Sequence, residues 1–188
     1  MTKNAAELAL EEASRALSER RFADAIPLAE AALVGPLDRN VPPSERGERY
    51  DLPERSLAHH ILGTAHLELG DRKRAIAELD KALNADGTRW FSYSNRAIAR
   101  RDEGDLEGAL EDFGRALKRA SRYPHALYNR ARLFVQLGRL ADAEEDFVGI
   151  LRSDPKAEPT RTEWAAVRET MGLAHDDPAL AARLAERA

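Results

Sequence analysis

The stretch PHALYNRARLFVQLGRLADAEEDFVGILRSDPKA, residues 124–157, carries the fold in one repeat length. From His125 to Leu137 the apolar residues Leu127, Ala131, Phe134 and Leu137 recur every three or four positions, the spacing of one helical face. Gly138 stands where the end of that helix needs a left-handed residue, a conformation Gly adopts without a Cβ penalty. Leu140 to Leu151 forms a second helix, with Leu140, Ala143, Phe147 and Ile150 or Leu151 on one face. Asp154-Pro155 ends it, because Pro cannot continue a helix and restrains the residue before it. The unit is helix–turn–helix.

Outward from this stretch the same plan recurs. Gly70, Gly104, Gly138 and Gly172 stand 34 residues apart, as do Ala75, Ala109 and Ala143, and Ala97, Ala131 and Ala165. Phe113 and Phe147 keep the interval. In the unit before, Tyr93, Ala97 and Ile98 lie on a first helix, and Leu106, Ala109, Leu110 and Phe113 on a second. Leu62, Gly63, Ala75, Leu79 and Ala82 repeat the pattern once more. A weaker copy opens the chain, with Leu10, Ala13 and Leu17, a turn at Arg21-Phe22, then Ala25, Ala29 and Ala32. A degenerate copy closes it, with Trp164, Ala165 and Gly172, then a short helix capped at Asp177-Pro178. The repeats fall at 6–39, 56–89, 90–123, 124–157 and 158–188. Residues 40–55, rich in Pro, Gly and charge, read as a loop insert, either disordered or folded back over a groove mouth.

These columns resemble the tetratricopeptide repeat family, whose 34-residue pattern places a Trp, a Leu-Gly, a Tyr, then an Ala, a Phe and a Pro. Leu62-Gly63 and Ala75 match it in one unit, Ala109 and Phe113 in the next, and Ala143, Phe147 and Pro155 in the third. Departures are His59 and His66 at the usual aromatic positions, and Arg96 and Arg130 in place of the Leu before the small residue. The resemblance implies an all-α solenoid, one domain over 1–188, with five antiparallel helix pairs stacked in a right-handed superhelix.

Composition bounds the function. The 188 residues are 43% hydrophobic and 33% charged, with 6% aromatics, which suits close-packed helices. There is no Cys, so disulfides, thiolate metal sites and a Cys nucleophile are excluded. Met1 to Leu10 does not read as a signal peptide, and no apolar stretch is long enough for a membrane span. The expectation is a cytoplasmic protein, and the Arg- and Ala-rich, Lys-poor composition points to a bacterial source. A net charge of −4 argues against nucleic acid as partner. Phosphate-cradling, nucleophile-elbow and zincin patterns are absent, so no catalytic residue, metal ligand or cofactor is expected. His59 and His66 are seven residues apart on one helix, about 10 Å along its axis, too far to share a metal. They read as packing residues. The pairs Glu11-Glu12, Glu144-Glu145 and Asp176-Asp177 read as solvated faces and caps.

In a solenoid of helix pairs the first helices line the concave face. On that face fall His60, Thr64 and Leu67, then Phe91, Ser94, Asn95, Ile98, Arg101 and Asp102, then His125, Tyr128, Asn129, Arg132 and Gln136. The expected peptide-binding set is Asn95, Asn129, Arg101, Arg132, Tyr128, Phe91, His60 and His125. Asn95 and Asn129 share a repeat position, and an amide can pair with peptide C=O and N–H whatever the sequence. Some members of the family line their superhelix with such an asparagine ladder. Arg101 and Arg132 favour acidic side chains on the partner. Tyr93-Ser94-Asn95-Arg96 also resembles the co-chaperone members whose two-carboxylate clamp holds a chaperone C-terminus. Asn95 falls on the clamp asparagine, while the Lys and Asn of the preceding unit are replaced by His60 and Thr64 and the Lys and Arg of the following unit by His125 and Asn129. The function expected is a non-catalytic adaptor for a protein or peptide partner, possibly acidic. Alternatives are an assembly or secretion chaperone, a co-chaperone with a degenerate clamp, an enzyme-associated regulatory subunit and, against the net charge, an RNA-binding solenoid.

Overall fold

The computed structural model describes residues 5–34 and 52–173. Within them lie α1 (Ala5–Ser18), α2 (Phe22–Val34), α3 (Leu52–Glu68), α4 (Arg72–Ala85), α5 (Trp90–Asp102), α6 (Leu106–Arg119), α7 (Pro124–Gln136), α8 (Leu140–Ser153) and α9 (Thr160–Thr170), with no strand among the described residues. The all-α repeat plan read from the sequence is the observed one. The insert is shorter than expected: Leu52 to Arg55 belong to α3, whose first turn accommodates Pro53 where no intrahelical N–H is needed. Residues 40–51 and the short helix expected after Asp177 lie outside the described residues.

Each of α1, α3, α5, α7 and α9 is followed by one left-handed residue. Gly70, Gly104, Gly138 and Gly172 have φ of 83°, 91°, 72° and 70°. Beyond each the chain closes a Schellman motif. Gly70 N–H donates to the Leu67 carbonyl at 3.0 Å and Asp71 N–H to that of His66 at 2.9 Å. Arg21, Asp105, Arg139 and Leu173 make the bond equivalent to that of Asp71, at 2.8–2.9 Å. In the first pair the left-handed place is held by Arg20, with φ 59°, where every later repeat has Gly.

The chain divides into two compact units, Met1–Asp112 and Phe113–Ala188, the division falling inside α6. In the first unit α1 packs on α2 and α3, α2 on α3, and α3 on α4 and α5. Its core is made of small residues: Ala13, Ala16, Ala25, Ala29 and Ala65 are fully buried around Leu10, Ile61 and Leu62. Gly63 marks a close approach of α3 to α4, since a Cβ there would stand 2.5 Å from Leu79 Cγ. In the second unit α7 packs on α8 and α8 on α9, over Ala131, Leu133, Ala143 and Phe147, all fully buried. Ala165, in the same column as Ala131, is only half-buried.

The turn chemistry yields a paired test. Arg20→Gly is expected to raise unfolding free energy by about 0.5–1 kcal/mol, because the Cβ strain of a left-handed L-residue disappears. The Arg20 pair with Glu68, at 3.6 Å and largely exposed, is a small loss beside it. Gly138→Ala is expected to lower stability by about 1 kcal/mol for the opposite reason. Urea unfolding read by circular dichroism checks both signs.

Candidate functional site

In the first unit, α3 and α5 bring together a polar chain beneath an aromatic lid. His60 Nδ1 lies 2.9 Å from Ser92 Oγ and its Nε2 3.4 Å from Thr64 Oγ1. Asn95 Nδ2 donates to Thr64 Oγ1 at 2.8 Å. The Phe91 ring meets the His60 ring edge-on with centroids 4.5 Å apart, and the Arg89 guanidinium stands 5.3 Å over the Phe91 ring. Burial, reinforced by the positive charge of Arg89, pushes the His60 pKa down to about 3, so the ring is neutral at physiological pH. His60, Phe91 and Asn95, all chosen from the sequence, are therefore gathered in one place. Thr64 and Ser92 tie them together.

The remaining expected residues behave differently. Arg101 is turned onto its neighbour Asp102, donating at 3.0 and 2.9 Å, and Asp102 also meets Arg72 at 3.7 Å. Ser94, expected on the face, is instead 1% exposed, and its Oγ has no protein hydrogen-bond partner. In the second unit Asn129 is buried, and its Nδ2 donates to the His125 carbonyl of its own helix at 2.8 Å. The side chain of His125 is exposed, its ring centroid 5.7 Å from that of Tyr123. Tyr128 donates its hydroxyl to Glu163 at 2.6 Å, and burial followed by that carboxylate raises its pKa. Arg132, 54% exposed, lies 3.8 Å from Glu163 with its guanidinium 5.9 Å from the Tyr128 ring centre.

The sequence reading missed a set of buried ion pairs. Arg96 grips the fully buried Asp112 with both arms of its guanidinium, Nε at 2.7 Å and Nη2 at 2.6 Å, and also bonds Asp80. Arg100 adds a third bond to Asp112 at 2.9 Å. Sixteen residues separate Arg96 from Asp112, and the same fork recurs at the same separation from Arg130 to Asp146, at 2.8 and 2.7 Å. Burial opposes the charge on Arg96, but the bonds and fields of Asp112 and Asp80 outweigh it and raise its pKa. For Asp146 burial wins, and its pKa is raised despite Arg130. Glu78 occupies the corresponding place one repeat earlier, bonded by His59 and Lys81, each at 2.7 Å. The signal was present: Arg96 and Arg130 break the apolar pattern in one column, and Asp112 and Asp146 break it 16 positions later. In the last described helix Arg168, 3% exposed, donates to Glu144 at 2.6 Å.

These charged clusters are helix-to-helix clasps. Among the described residues no three His, Asp or Glu side chains converge as a metal-binding group, and no helix is long and apolar enough to cross a membrane.

Comparison with known proteins gives the setting. Two family models described as tetratricopeptide repeat match residues 57–89 and 94–158. Over 97 residues the chain is 31% identical to DnaJ homolog subfamily C member 3 of Rattus norvegicus, covering 52% of this chain and 19% of that protein. Over 101 residues it is 37% identical to Tetratricopeptide repeat protein 36 of Mus musculus, covering 50% of this chain and 53% of that one. The chain thus spans about half or less of the length of these curated relatives. Among solved structures, a tetratricopeptide repeat protein from Parabacteroides merdae superposes with a TM-score of 0.68 at 24% identity, covering 89% of this chain and 60% of that one. The first TPR of Spaghetti (RPAP3), solved bound to the HSP90 peptide SRMEEVD, has a TM-score of 0.61 at 21% identity over 63% of this chain and 94% of that one.

Two measurements test the energetics of this region. Asp112→Ala removes the forked partner of the buried Arg96, leaving it Asp80 alone, and one partner of Arg100, and is expected to cost about 3 kcal/mol of unfolding free energy. Arg96→Leu with Asp112→Leu removes both charges and is expected to recover most of that loss. Separately, His60 has a folded pKa below its unfolded value, so below pH 6.5 the unfolded chain takes up a proton that the folded chain refuses. The stabilisation is complete above pH 6.5 and is lost as pH falls toward 3. Between pH 6.5 and 5 wild type is expected to lose about 1–2 kcal/mol more than His60→Gln, measured by denaturant titration at each pH.

Proposed function

Because the chain belongs to the tetratricopeptide repeat family, we propose that it is a non-catalytic adaptor that holds an extended segment of a partner protein against the first helices of its repeats. The observation that carries this reading is the Asn95 amide, anchored by Thr64 and set beside the Phe91–His60 aromatic pair. A fixed amide next to an apolar ring is suited to a peptide backbone, because one group pairs with the polar main chain and the other with a side chain. The likeness to a domain solved with a bound peptide supports the same use of the fold.

The terminal-carboxylate mode has little to support it here. His60 is held neutral and Asn129 is an uncharged amide bonded to its own helix, so the lysine and arginine cations that such a clamp needs are missing. An internal segment fits better. Taken by itself, the second unit offers Arg132, 54% exposed beside Tyr128 and only loosely paired with Glu163 at 3.8 Å, as a charge partner for an acidic side chain, whereas Arg101 of the first unit is engaged by Asp102 at 2.9 Å.

The partner is to be captured by affinity pull-down from native lysate and its binding segment mapped by truncation. Asn95→Ala is expected to weaken that segment at least tenfold, and Arg132→Ala severalfold, with the latter effect shrinking at high salt. Asn129→Ala is expected to change affinity less than threefold. Affinity unchanged in Asn95→Ala, or cross-links that map to α2, α4 and α8, would overturn the reading.

A further inference from the structure

The turns joining α4 to α5, α6 to α7 and α8 to α9 share one plan. After α4, Asp86 N–H donates to the Ala82 carbonyl at 2.9 Å, and the Asp86 carbonyl accepts from Arg89 N–H at 3.3 Å. After α8, Asp154 makes the same two bonds, to Ile150 at 3.0 Å and from Ala157 at 3.1 Å. After α6, Ala120 makes them to Ala116 and from Tyr123, both at 3.0 Å. In the first and last of these turns the Asp carboxylate also accepts the N–H two residues on, that of Thr88 at 2.9 Å and that of Lys156 at 3.0 Å. Residues 86, 120 and 154 stand 34 apart, so Ala120 takes the place of that Asp. The Arg122 N–H, which the carboxylate would meet, has no hydrogen-bond acceptor among the described residues.

The same turn gathers cations. Residues 113–141 contain seven Lys or Arg and no Asp or Glu. Four of the seven are engaged: Arg130 by Asp146, Arg139 by Asp142 at 2.7 Å, Arg132 loosely by Glu163 at 3.8 Å, and Arg115, which has a partner of its own. The other three, Lys118, Arg119 and Arg122, are exposed and make no ion pair with any described residue. They flank Ala120 on both sides. The corresponding residues of the α4–α5 turn are Asn84, Ala85 and Thr88, none of them charged. The α8–α9 turn has acids of its own, Asp154 and Glu158, which accept from Lys156 N–H and the Thr162 hydroxyl. Lys118 and Arg119 suit the last turn of α6, since the carbonyl end of a helix favours cations. That preference accounts neither for Arg122 nor for an Ala in place of the Asp. Three cations around an N–H that lacks its carboxylate suit a carboxylate from outside. A carboxylate fits better than a phosphate, because it is the group that the two matching turns hold there.

We infer that the α6–α7 turn is a docking point for an acidic segment of a partner protein. One Asp or Glu carboxylate of the segment accepts the Arg122 N–H, as Asp86 and Asp154 accept in their own turns. The side chains of Lys118, Arg119 and Arg122 pair with it and with its acidic neighbours. None of these residues belongs to the face built on α3 and α5, so the inference stands apart from the reading of that face.

The test uses the full chain, isotopically labelled, and two capped peptides, Asp-Glu-Asp-Glu and its uncharged counterpart Asn-Gln-Asn-Gln. The acidic peptide is expected to move the Arg122 backbone amide signal and to bind roughly tenfold or more tightly than the uncharged one, with the difference shrinking as salt rises. Ala120→Asp restores the carboxylate of the matching turns and is expected to weaken the acidic peptide roughly fivefold or more, with the urea midpoint not lowered. Gln136→Glu makes the same change of charge at the other end of α7 and is expected to alter affinity less than about twofold. Arg119→Gln with Arg122→Gln, which leaves the backbone N–H in place, is expected to weaken the acidic peptide roughly fivefold or more. Equal binding of the two peptides, binding indifferent to the paired Gln changes, or an Ala120→Asp effect no larger than that of Gln136→Glu overturns the inference. A single-stranded oligonucleotide that moves the Arg122 amide and binds more tightly than the acidic peptide assigns the turn to nucleic acid and overturns it as well.

Discussion

Close approach of neighbouring helices is the constraint on which everything else rests. At Gly63 there is no room even for a methyl group against Leu79, and Ala97 and Ala131 are fully buried in the same column. Small residues let backbones come near enough for their long neighbours to interlock, and the dense core that results contributes most of the stability of a solenoid repeat. The Schellman turn serves the same contact. It reverses the chain within two or three residues, so that the second helix returns along the first.

The buried Arg–Asp forks follow from that geometry. When two helices of a repeat are held close, an Arg on the first reaches an Asp on the second with both arms, and the pair is shut away from water. Such a pair adds little net stability over apolar residues of the same size, because desolvation consumes most of the Coulomb energy. It does penalise a shifted register, which would leave a charge buried alone. Arg96–Asp112 and Arg130–Asp146 therefore act as register pins at an apolar seam, where sliding would otherwise cost less.

The face proposed to receive a partner is built on α3 and α5 of this frame. His60 stands within it as a neutral ring at physiological pH, its pKa pushed down to about 3 by burial and by Arg89. A protonated ring would add a cation beside Arg89, and it would remove the one acceptor that the ring offers to Ser92 or Thr64.

The sequence by itself determined the repeat, its helix boundaries to within a few residues, and the glycines that close each turn, because period, caps and left-handed positions are local properties of the chain. It also placed His60, Phe91 and Asn95 on one face, since helical spacing alone sets which side chains share a side. It did not reveal that Asn129, in the same repeat position as Asn95, bonds its own helix, or that Arg101 is held by Asp102. Nor did it show that Glu7 and Glu11 of α1 and Glu54 of α3 line one cleft. Those outcomes were decided by tertiary structure. Whether a polar side chain faces a ligand or is already satisfied depends on the groups brought beside it by distant residues, and periodicity carries no information about hydrogen-bond partners across a packed interface.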